Sequence, residues 1–198
     1  MTLTRRMLFA GALAAAALTA SCATGGLVSG DLKSGDATVT LAREWSDVTF
    51  MLPNRPPNVR MLSVDGPLLN RLYLANLEPG QSLLRLPDRD TPRPLYRADM
   101  SESELVEFVI DCIAQEYQNP EAAALRPHTL GETPAVRFDI STRTAEGLNI
   151  SGTAMVARQN DRLHVLLYLA PSEHYYASLA PDVESVFASA RLSPSRRR

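Results

Sequence analysis

PAVRFDISTRTAEGLNISGTAMVARQNDRLHVLLYLA, residues 134–170, decides the fold. Val136, Phe138 and Ile140 alternate with Arg137, Asp139 and Ser141. That two-residue period belongs to a strand with one buried and one wet face. Glu146-Gly147 turns the chain, and Leu148, Ile150, Ala154 and Val156 then share one face of a second strand. Gln159-Asn160-Asp161 turns it again. RLHVLLYLA (162–170) is apolar at both parities, which predicts a strand covered on both sides. Turns this short join antiparallel neighbours. The stretch therefore predicts a three-strand meander.

Upstream, ATVTL (37–41), SDVTFML (46–52), VRMLSV (59–64) and LNRLYLANL (69–77) read as further strands. They are separated by LPNRPPN (52–58) and DGP (65–67), whose prolines do not suit a central strand. Trp45 falls between the first two and is expected at the edge of the core. Ser101 followed by Glu104 forms a capping box. Leu105, Val106, Val109, Ile110, Cys112, Ile113 and Tyr117 follow at helical spacing, and Asn119-Pro120 is the expected stop. Residues 171–192 read as helix in two pieces, with Pro181 in the first turn of the second and Val183, Val186, Phe187 and Ala190 on its buried stripe. The expected class is α+β: one antiparallel sheet of about six strands, ending in the meander, with two main helices packed on it. The expected domain spans 37–192.

The chain opens MTLTRRMLFAGALAAAALTASC. Arg5 and Arg6 precede 14 uncharged residues, Met7–Ala20, fewer than the roughly 20 apolar residues a spanning helix needs. Residues 1–21 thus read as an export signal. Leu18-Thr19-Ala20-Ser21-Cys22 resembles the lipobox of bacterial lipoproteins, in which small residues precede a cysteine that is acylated and becomes the N-terminus. Thr19 departs from the aliphatic residue preferred there, and ordinary cleavage after Ala20 or Ala23 is the alternative. Arg5, Arg6, Leu8 and Phe9 also resemble a twin-arginine export signal. The resemblance implies lipid attachment at Cys22 and a periplasm-facing envelope protein. Ala23 after the cysteine resembles an outer-membrane sorting signal. Residues 22–36, rich in Gly and Ser, read as a flexible tether, and 193–198 as a disordered basic tail.

The formal net charge is −2, and loss of Arg5 and Arg6 makes the mature chain more acidic, so a nucleic-acid-binding face is not expected. His128, His164 and His174 lie at no metal-ligating spacing, and neither a nucleophile elbow nor a Gly-rich phosphate loop is present. No cofactor, metal or catalytic set is expected. Cys112 reads as a buried free thiol. The weak binding-surface candidates are His174, Tyr175 and Tyr176, together with Arg89 and Arg93 in the proline-rich, charged segment 85–100. The order strands–helix–meander–helix and the ending LHVLLYLAPSEHYYASLAPDVESVFASARL resemble the PsbP-like proteins, which include bacterial lipoproteins and a nuclear-transport factor. That resemblance implies a mostly non-catalytic protein acting through protein contacts. The expected function is an anchored envelope protein that binds or scaffolds a protein partner. The alternatives are a carrier or sensor of a small apolar ligand, or a hydrolase around His174.

Overall fold

A computed structural model describes residues 25–84 and 92–193. The strands are β1 (Leu27–Ser34), β2 (Ala37–Asp47), β3 (Val59–Ser63), β4 (Arg71–Leu77), β5 (Gln118–Leu130), β6 (Thr133–Arg143), β7 (Asn149–Gln159), β8 (Arg162–Pro171) and β9 (Arg191–Leu192). The helices are α1 (Glu102–Ile113) and α2 (Tyr175–Ser189). The α+β class and the large antiparallel sheet agree with the sequence, but the sheet has nine strands where about six were expected. Its order is β1-β2-β3-β4-β8-β7-β6-β5, with β9 beside β2.

The meander of β6, β7 and β8 sits where its alternation placed it. Phe138 and Ile140 turn to the α1 side, packing with Ala154, Val156, Leu163, Val165 and Leu167 against Leu105, Val109 and Ile113. On the other face Leu166, Tyr168, Leu72 and Leu74 pack with Val183, Val186 and Phe187 of α2. The sheet is thus a middle layer with a separate core on each side, and this is why β8 is apolar at both parities. Arg137, expected to face water, is buried beneath α2. Its Nη1 donates to Glu184 Oε2 at 2.7 Å, and its guanidinium lies 5.1 Å from the Phe187 ring centroid.

Four expectations are corrected. The segments 37–41 and 46–52 are not two strands. The first and the start of the second belong to β2, which stops at Asp47, where Asp47 Oδ1 accepts the Thr49 backbone N–H at 3.1 Å and starts the 3-10 turn Thr49–Met51. Residues 27–34, read as part of the tether, are β1: Leu32 and Ser34 bury against β2 and β4, and Ser34 Oγ donates to Leu74 O at 3.4 Å. Residues beyond Ile113 leave the helix through a turn in which Tyr117 N donates to Ile113 O at 2.9 Å, so Asn119-Pro120 lies in the edge strand β5. Proline is tolerated there because an edge has amides without ladder partners. α2 is also one helix rather than two pieces. Pro181 lies inside it on the exposed side, where water can satisfy the carbonyl of Ala177 that proline leaves without a donor.

Candidate functional site

The capping box forms as its sequence requires: Glu104 N donates to Ser101 Oγ at 3.3 Å, and Ser101 N to Glu104 Oε2 at 2.7 Å. It fixes the start of α1, and its far end borders a cleft. That cleft, of about 340 Å³, opens between the 3-10 turn, the β3–β4 turn and the C-terminal end of α1. Leu52, Met61 and Leu84 form its apolar walls, and Met51 and Leu68 its rim. Leu68 is 83% exposed, Met51 52% and the adjacent Phe50 43%. Large apolar side chains gathered at the mouth of one concavity are unsatisfied surface of the kind that marks binding sites.

Arg71 lies at the base of the cleft. Its guanidinium donates to Glu116 Oε1 and to the carbonyl of Pro67, and its Nη1 lies 3.5 Å from Tyr73 Oη. The Tyr117 ring centroid is 6.0 Å from its Cζ. Burial works against the Arg71 charge, and the Glu116 carboxylate opposes burial and keeps the guanidinium charged. Burial also raises the Tyr73 and Tyr117 phenols, so both stay protonated. The arrangement therefore presents a fixed cation, a neutralising carboxylate and two phenols under apolar walls. It can hold and orient an apolar group with a polar end. Sequence reading missed it, because its residues come from three distant segments. The one local signal was Arg71, a single charge opening the run RLYLANL, in which Asn76 is the other strongly polar residue.

The residues singled out from sequence are not brought together. Cys22, Arg5, Arg6 and Arg89 lie outside the described residues. Arg93 is exposed ahead of α1, at the end of the sheet where Arg158 Nη1 donates to Met100 O at 2.6 Å. His174 follows β8 at the opposite end, since Pro171 pairs with Ile150 at the start of β7. The His174 ring meets Tyr175 edge-on at 5.1 Å between centroids, and Tyr176 stacks on Tyr168 at 5.5 Å. Tyr168 Oη donates to the carbonyl of Tyr175 at 3.1 Å. These aromatic contacts fasten the start of α2 to the sheet.

His128 is on β5 with Nδ1 2.8 Å from Thr129 O. His164 is buried on β8 opposite Asn76 of β4, and neither ring nitrogen has a hydrogen-bond partner. Burial lowers its pKa to about 4, although Asp36 opposes this. Cys112 is a buried free thiol that burial pushes up to about 11, and its Sγ lies 3.8 Å from Ser82 Oγ. Among the described residues no group of three side chains could hold a metal ion, and no helix is long and apolar enough to cross a membrane.

No family model matches the chain, and no curated protein does. Solved structures match by shape. The cyanobacterial PsbP protein CyanoP of Synechocystis sp. PCC 6803 aligns over 88% of this chain and 96% of its own, at 12% identity and a TM-score of 0.50. The Ran-binding protein Mog1p of Saccharomyces cerevisiae aligns over 85% of this chain and 96% of its own, at 11% identity and a TM-score of 0.50. At such identities the likeness is one of fold, and the fold of this chain is similar to the one that CyanoP and Mog1p share.

Proposed function

We propose that the protein is a non-catalytic binding module of the bacterial cell envelope, anchored through lipid on Cys22, whose cleft over Arg71 receives an apolar group of an envelope protein partner. The observation that carries this reading is the cleft itself: apolar walls, exposed Leu68 and Met51 at the mouth, and a largely shielded Arg71 paired with the more exposed Glu116. Interface anchors are typically apolar or aromatic side chains seated in such pockets. The three histidines support a non-catalytic role, since each is held by packing or a backbone contact rather than beside a nucleophile. The likeness of fold to a Ran-binding protein adds support for a protein-binding use of this scaffold.

The test is a photocrosslinking amino acid at Leu68 in the full chain, exported in a bacterial host of its own kind. The expected result is a reproducible protein adduct that Leu52→Asp, on the cleft wall, abolishes. Absence of any adduct above that of a probe at exposed Leu125 refutes the reading. Mass spectrometry of the mature N-terminus, with Cys22→Ala as control, tests the anchor separately.

A second reading is favoured by the cleft's volume, which lies at the lower end of the roughly 300–1,000 Å³ of small-molecule pockets. On that reading the occupant is a small apolar ligand. Native mass spectrometry of the purified full chain would then show a bound small molecule that Leu52→Asp loses.

A further inference from the structure

The distance along the chain between the proposed anchor and the first described residue is short. Strand β1 begins at Leu27, and the described chain begins at Gly25. Gly25 is three residue steps from Cys22, with only Ala23 and Thr24 between them, and a fully extended chain covers at most about 3.3–3.6 Å per step, or roughly 10 Å in all. The polar layer on one side of a bilayer is of comparable depth, roughly 5–8 Å. A lipid on Cys22 therefore leaves Gly25 no room to stand away from the headgroups.

Gly25 is also fixed to one place on the domain. A Cβ there would lie 1.4 Å from the carbonyl oxygen of Asp47, so Gly25 sits directly against the backbone of Asp47. The Asp47 amide donates to Gly26 O at 3.0 Å. The next residues after Asp47 and Val48 are the 3-10 turn Thr49–Met51. Exposed Leu27, Phe50 and Met51 all lie within four residues of the Gly25–Asp47 contact where the chain enters the domain. Exposed Arg55 lies four residues beyond Met51 and makes no ion pair among the described residues. Two described carboxylates that border the turn and the cleft are engaged: Asp47 accepts from Arg60 at 2.8 Å, and Glu116 from Arg71. Apolar side chains beside an arginine without an ion pair among the described residues are the composition of a segment that rests in a lipid interface.

We propose that Leu27, Phe50, Met51 and Arg55 form a lip that docks on the membrane surface, so that the mouth of the cleft faces the bilayer plane. The occupant is a lipid surface: the side chains of Leu27, Phe50 and Met51 enter the headgroup–acyl boundary and Arg55 meets the phosphates. The inference rests on the anchor reading above and deepens it. It makes the partner's bound group membrane-proximal.

The experiment uses the full chain with its native signal, purified in detergent and returned to vesicles of phosphatidylethanolamine and phosphatidylglycerol. Met51→Cys, with Phe50→Cys as a second variant, is labelled with an environment-sensitive fluorophore. Leu125→Cys on β5 is the comparison, and buried Cys112 is shielded from label. Brominated lipid is expected to quench the label at 51 and at 50 and to leave that at 125 unchanged. Equal quenching at all sites, or none, on protein that mass spectrometry shows to be acylated overturns the lip and leaves the anchor standing. A blue-shifted but unquenched label at 51 assigns the lip to a protein and overturns the inference too. A mature N-terminus without lipid overturns the anchor, and the lip with it.

Discussion

His164 makes the stability of this domain depend on acidity in a calculable way. It is 1% exposed on β8, beside Asn76, and both ring nitrogens lack hydrogen-bond partners. Its pKa is about 4 in the folded chain, against roughly 6.5 for a free histidine. As the pH falls from 6.5 toward 4, the unfolded chain takes up a proton that the folded chain refuses, so stability is lost over that window and the loss levels off below it. At 1.36 kcal/mol per unit of pKa difference, the loss from this one residue is about 2–3 kcal/mol by pH 4.5. Asp36 and Arg162 are the charged groups that act on the ring, the first favouring and the second opposing its protonation. The variant His164→Leu keeps a similar volume and removes the titrating group and two unmade hydrogen bonds. Urea denaturation at pH 7.5 and pH 4.5 measures the effect. Wild type should lose about 2–3 kcal/mol more than the variant between the two, and at pH 7.5 the variant should be at least as stable, since leucine removes two unpaired buried ring nitrogens and adds no polar group. Equal losses in both proteins would refute the reasoning.

Other expectations follow from single contacts. Gly152→Ala would place a Cβ 2.6 Å from Leu169 Cδ2 and 2.8 Å from the Tyr168 carbonyl oxygen, in the middle of the sheet. The backbone oxygen cannot step aside alone, so a loss of about 1–3 kcal/mol is expected in denaturant titration. Ser101→Ala removes the oxygen that caps α1, and should cost about 1 kcal/mol and lower Tm by roughly 2–4 °C in a thermal scan. The Cys112 thiol, buried and pushed up to about 11, should resist a thiol reagent at pH 8 and react at once in denaturant. Rapid labelling of the folded chain at that residue would contradict the burial.

The legible parts of the fold were those with a face to bury. β6 and β7 alternate because Phe138, Ile140, Ala154 and Val156 meet α1, and β8 is apolar throughout because both helices cover it. β5 carried no such pattern. Most of its residues are exposed, it contains Pro120 and Pro127, and its register shifts twice, between Gln118 and Glu121 and between Ala123 and Arg126. β1 is the opposite edge and equally plain, buried at only two positions. Edge strands are specified by their neighbours' unpaired amides more than by their own side chains. The candidate site was illegible for a different reason. Met51, Leu68, Arg71 and Glu116 are unremarkable where they stand in sequence, and become a site only when the 3-10 turn, the β3–β4 turn and the end of α1 converge.

The pairing of β4 with β8 has a consequence for synthesis. One edge of β4 pairs with β3, but on the other edge its seven residues Arg71–Leu77 find their partners in Leu163–Leu169. Until those emerge from the ribosome, one side of an apolar strand bearing Leu72 and Leu74 is an open template for another chain. At about 5–20 residues per second that interval lasts several seconds, and non-local pairing of this kind is slow even afterwards. The nascent protein is thus most vulnerable to aggregation during the second half of its translation, and a chaperone that holds newly made chains would act on the unpaired edge of β4.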